Sequence, residues 1–136
     1  MRNIIPSEKV LHLGCDTFPS ATTFIPKEKK TNVVGIDHNY FAMKLVQSYI
    51  KKKNLSDLIT IEYGNGSNYP VQDFGIIYIA INVYLIEKVL FHLAPTMKPT
   101  ARILYKGSFQ DINTLLKKKE FQSLFSVSYT LEYPKI

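Results

Sequence analysis

Residues 31–54 read TNVVGIDHNYFAMKLVQSYIKKKN, and this stretch decides between fold classes. Its first part is near-continuously apolar up to Asp37, the pattern of a strand covered on both faces. The period then changes. Phe41, Ala42, Leu45, Val46, Tyr49 and Ile50 fall on one helical face, while Lys44, Gln47, Ser48, Lys51 and Lys52 fall on the other. A covered strand running straight into an amphipathic helix is half of a strand–helix–strand unit, which implies a parallel sheet.

The same alternation extends in both directions. KVLHLGC (9–15) precedes it as a first strand, and LITIEYGN (58–65) follows as a third. FGIIYIAIN (74–82) is a fourth strand, again apolar on both faces. VYLIEKVLFHLAPTM (83–97) places Ile86, Val89, Leu90, Leu93, Ala94 and Met97 at helical spacing. ARILYKG (101–107) is a fifth strand, and SFQDINTLLKKKEFQSLF (108–125) a third helix, with Ser108 as cap and Asp111 three residues on. SVSYTLEYP (126–134) reads as a terminal strand. GSNYPVQD (66–73) is too short and too rich in turn residues for a full helix. Strands alternating with helices predict a three-layer α/β domain, helices on both faces of a mainly parallel sheet with the terminal strand added.

At 136 residues, 46% hydrophobic and 21% charged, the chain is expected to form one globular domain over residues 1–136. No apolar run approaches the roughly 18 residues of a membrane helix, and MRNIIPSEK has no apolar core of a secretory signal. Cys15 is the single cysteine, which fits a reducing cytoplasm. His12, His38 and His92 are scattered, so no metal site is expected. The formal charge of +6 raises nucleic acid as a partner. However, KEKK (27–30) and Lys51, Lys52 and Lys53 follow helices, at the sheet end opposite the strands' carboxyl ends. Cations there complement the helix dipole. A small-molecule acceptor is therefore expected over a nucleic acid.

Ligands of open parallel sheets bind beyond the carboxyl ends of the strands, at the switch point in strand order. Four segments meet at that edge in this order: Gly14, Cys15, Asp16, Thr17, Phe18 and Pro19 after strand one; Asp37 and His38 after strand two; Gly64 and Asn65 after strand three; Ala80, Ile81 and Asn82 after strand four. Asp37 ends an apolar strand 23 positions beyond Gly14. A carboxylate there can accept both hydroxyl hydrogens of an adenosine ribose; the alternative is that Asp37 or Asn39 merely caps the next helix. GNG (64–66) can bring backbone close to a flat adenine ring, or can be a plain turn. Cys15 reads as a small pocket-lining thiol, since no histidine is placed to activate it. The three-glycine fingerprint of a nicotinamide dinucleotide site is missing.

Taken together, EKVLHLGCDTFPSA, VVGIDHNYFAMKLVQSYIKK, ITIEYGNGSNYPVQDFGIIYIA and LAPTMKPTARILYKG resemble a class I S-adenosylmethionine-dependent methyltransferase over nearly the whole length. Within that class the chain is most similar to nicotianamine synthases, through Gly14, Pro19 and the small polar residues of GCDTFPSAT, and through ARILYKGSF. The resemblance implies a Rossmann-like fold with strand order 3-2-1-4-5. It also implies S-adenosylmethionine, or S-adenosylhomocysteine as bound product, across the four segments named above, and transfer of a methyl or an aminocarboxypropyl group. Candidate catalytic helpers near the edge are Tyr84, Tyr105 and Lys106. His12 stands where methyltransferases often carry an acidic residue, and Asp16 replaces the second glycine. The nine residues before strand one do not supply the N-terminal helical domain of nicotianamine synthases. Closure of the site is accordingly expected from outside the domain, by self-association or by a partner chain, unless GSNYPVQD and the SFQD turn fold over it, and SVSYTLEYP is either a contact edge or a strand that finishes its own sheet beside strand five. The remaining reading is a non-catalytic adenosyl-binding module.

Overall fold

The computed structural model describes residues 8–14, 32–79, 86–105 and 109–118. In chain order the elements are β1 (Val10–Leu13), β2 (Val33–Asp37), α1 (Tyr40–Lys52), β3 (Ile59–Tyr63), β4 (Ile76–Ile79), α2 (Ile86–Thr96), β5 (Arg102–Tyr105) and α3 (Phe109–Leu116). The five strands form one sheet of order β3-β2-β1-β4-β5, and every pairing is parallel. This is the expected order. The expected terminal strand, residues 126–134, lies outside the described residues.

Register explains how two faces are filled from four-residue strands. Leu11 aligns with Val34 and Ile77, and Leu13 with Ile36 and Ile79. These rows share one face. There they pack with Val89, Leu90 and Leu93 of α2 and with Leu115 of α3. The intervening rows face the other way: Val10, Val33, Ile76 and Tyr78 form a second buried cluster, and Met43, Val46 and Ile50 of α1 pack on Ile59 and Ile61 of β3. All four residues of β4 are buried, and β2 is buried apart from half-buried Val34, as continuous apolar runs require. Glu8 and Arg102 pair at 3.0 Å and tie the approach to β1 to the start of β5.

The helix after β2 is started and stopped by its own residues. Asn39 is the N-cap, its side chain accepting the Ala42 amide at 3.1 Å. Asn54, with φ 57°, turns the chain out of the helix, and the Leu55 amide returns to the Ile50 carbonyl. Lys51, Lys52 and Lys53 stand at this end, beside the start of β3 and so at the amino edge of the sheet, as expected.

Two expectations need correction. The buried side of α1 is Ala42, Met43, Val46 and Ile50, whereas Phe41, Leu45 and Tyr49 are exposed. Gln47, expected on the solvent side, donates its side-chain amide to the Ile61 carbonyl at 2.8 Å. That bond and the Met43 cluster set the rotation of the helix. The third helix ends at Leu116 instead of running through the lysines, with Lys117 and Lys118 closing onto the carbonyls of Asn113 and Leu115.

Candidate cofactor site

The carboxyl end of β2 is the anchor of the site. The Gly14 amide donates to the Ile36 carbonyl at 3.0 Å, and the Gly64 amide donates to the Asp37 carbonyl at 3.0 Å. The segments leaving β1 and β3 are thus fastened to the two residues that end β2. Gly14 has φ 75°, the left-handed region in which a side chain would be strained, so the chain can turn off the sheet there.

Asp37 is 7% exposed at this junction. Its Oδ1 accepts the Asn39 amide at 2.8 Å, and His38 Nδ1 stands 3.9 Å away on an exposed side chain. Capping is divided between the two residues, since Asn39 caps α1 and Asp37 holds Asn39. A carboxylate held at a strand end, between two backbone turns, is an acceptor of the kind that ribose hydroxyls can donate to.

The turn after β3 is shaped from within the protein. Asn65 Oδ1 accepts both the amide and the hydroxyl of Ser67, at 2.9 and 2.8 Å, and the Asn65 carbonyl receives the Asn68 and Tyr69 amides. A Cβ on Gly64 would meet the Tyr69 ring at 3.1 Å, and one on Gly66 would meet Leu13 and Val89 at 3.4 Å. Close packing against Tyr69 therefore bears on Gly64 before any ligand is considered, whereas a Cβ on Gly66 would make ordinary van der Waals contact.

Tyr69 of this loop and its partner Glu62 of β3 were not singled out by sequence. Tyr69 donates its hydroxyl to Glu62 Oε1 at 3.0 Å, while His92 Nε2 of α2 lies 2.6 Å from the Tyr69 carbonyl oxygen. Burial, then the hydrogen bond to Glu62 and its negative charge, push the Tyr69 phenol up to about 12. The only sequence signal was an aromatic residue inside a turn-rich stretch. His12 is buried in β1, with Tyr78 edge-on to its ring at a centroid distance of 4.8 Å.

Of the residues expected at the site, Gly14, Asp37, His38, Gly64 and Asn65 do come together at one edge. Tyr105 ends β5 and is half-buried against the Leu11 cluster. Cys15, Asp16, Thr17, Phe18, Pro19, Ala80, Ile81, Asn82, Tyr84 and Lys106 lie outside the described residues. Among the described residues no group of three metal-ligating side chains gathers, and no helix is long and apolar enough to cross a membrane.

No protein-family profile and no curated protein sequence matches this chain. Solved structures do match. Geranyl diphosphate C-methyltransferase from Streptomyces coelicolor A3(2), solved with S-adenosyl-L-homocysteine, aligns with a TM-score of 0.67 at 10% identity, over 76% of this chain and 40% of its own. A mutant of MtNAS, a nicotianamine synthase, in complex with S-adenosylmethionine gives 0.69 at 14%, over 74% and 39%. A candidate sarcosine dimethylglycine methyltransferase from Galdieria sulphuraria gives 0.67 at 19%, over 82% and 46%. The chain has the Rossmann-like fold of S-adenosylmethionine-dependent methyltransferases. It spans less than half the length of these structures, and at such identities the likeness carries the fold alone.

Proposed function

We propose that this chain is an S-adenosylmethionine-binding transferase domain, a methyltransferase acting on a small-molecule acceptor. The observation that carries the reading is the fastening of Gly14 and Gly64 onto the end of β2, around buried Asp37. Asp37 would hold the ribose hydroxyls, with His38 beside it. Gly14 and the following Cys15, Asp16, Thr17, Phe18 and Pro19 would carry the amino-acid end, Gly64 and Asn65 would border the adenine, and Ala80, Ile81 and Asn82 are the other proposed cofactor contacts. When bound, S-adenosylmethionine supplies an electrophilic carbon on a sulfonium. The protein's task is then to hold an acceptor in line with that carbon, keep water out and take up one proton. Tyr105 stands at the same sheet edge, at the end of β5. Tyr84 and Lys106 are the other proposed helpers. The single Cys15 fits a cytoplasmic protein.

The alternative reading is a non-catalytic adenosyl-binding module that needs a partner chain. Product analysis with S-adenosylmethionine and amine or carbon acceptors separates these readings. S-adenosylhomocysteine means methyl transfer and methylthioadenosine means aminocarboxypropyl transfer. Binding without either product favours the module.

A further inference from the structure

Among the described residues six large apolar side chains are exposed, and five of them gather on or beside α1: Tyr40, Phe41, Leu45, Tyr49 and Tyr63. Such a concentration marks an interaction surface, whereas scattered exposed residues do not. Phe41 is 79% exposed and Leu45 59%. With Tyr49 they form a row at four-residue spacing, a ridge of about 12 Å. Rows at this spacing interdigitate with the same rows of a second helix.

The charges around the ridge have one sign. From Tyr40 to Lys53 there is no Asp or Glu, while Lys44, Lys51, Lys52 and Lys53 stand along or beyond it. Lys44 Nζ lies 5.7 Å from the centre of the Tyr40 ring, and Lys53 Nζ 5.8 Å from that of Tyr49, so cations are held at both ends of the apolar row. A second copy would bring the same lysines, on a chain of charge +6. We infer that α1 docks an amphipathic helix of a partner protein whose apolar ridge is bordered by aspartate or glutamate. Phe41 lies four residues from Asp37, so the ridge begins near the candidate cofactor edge. The docking face itself does not depend on the transferase reading.

The test uses the full chain and two labelled synthetic helical peptides with the same leucine ridge, one bordered by glutamate and one by lysine. Fluorescence anisotropy is expected to show binding of the glutamate peptide only, weakened by added salt. The double variant Phe41→Ser/Leu45→Ser should weaken it about tenfold or more, and Lys44→Gln/Lys53→Gln should weaken it with a shallower salt dependence. Thermal unfolding of both variants should match that of the parent. The inference is overturned if neither peptide binds or both bind alike, or if the serine variant unfolds at lower temperature because the chain's own residues cover the ridge. Self-association lost in the serine variant, or preferential binding to phosphatidylcholine–phosphatidylserine vesicles, would equally overturn it.

Discussion

Asp37 sits where three backbone segments meet, and its own turn already uses one of its oxygens. Asp37→Ala should weaken S-adenosylmethionine binding by roughly 1–3 kcal/mol, the scale of hydrogen bonds to a charged group. Asp37→Asn keeps an oxygen for the Asn39 amide and removes the charge, so it should fold like the parent and still bind more weakly in calorimetry. Gly14→Ala forces a side chain into the left-handed region and should cost roughly 1–2 kcal/mol in urea denaturation. Tyr69 gives a pH signature. Its phenol is raised above the ordinary 10 to about 12, which favours the neutral form in the folded state. The stability this contributes is fully present below pH 10 and is lost as pH rises through 12. Absorbance titration of the parent against Tyr69→Phe should show that the variant lacks one late-ionising phenol. At this scale Asp37 and Gly14 were legible because each follows an apolar run at a strand end. Tyr69 was not, because its partners Glu62 and His92 come from β3 and α2.

At the scale of elements, α1 separates what periodicity can and cannot tell. Apolar residues at 41, 42, 43, 45, 46, 49 and 50 span a little over half of the helix circumference, so the pattern predicts a helix and its apolar side but not which part of that wide arc is buried. Packing of Met43 on β3 and the Gln47 amide make that choice. Met43→Ala should therefore cost about 2–5 kcal/mol, whereas Phe41→Ser should stay within about 0.5 kcal/mol. Equal losses in chemical denaturation would contradict the rotation described. Asn39→Ala removes the N-cap and should cost about 1 kcal/mol. The apolar side of α2 was legible, because Val89, Leu90 and Leu93 form a single stripe against one sheet face.

For the whole molecule, the alternation of strands and helices made a parallel sheet legible, whereas the order β3-β2-β1-β4-β5 came with the resemblance to class I methyltransferases, because right-handed crossovers allow other doubly wound orders as well. The convergence of Gly14, Asp37 and Gly64 is a consequence of that order, which is why part of the site could be read before the fold was known. The exposed ridge on α1 could not, since exposure depends on which residues pack against the sheet. Calorimetric titration of the full chain with S-adenosylmethionine, beside the Asp37→Ala variant and a nicotinamide dinucleotide control, tests the central claim most directly. Saturable S-adenosylmethionine binding, weakened roughly 5- to 150-fold in the variant, with no binding of the dinucleotide, is the predicted result. No binding of S-adenosylmethionine, or equal affinity in parent and variant, would contradict the account.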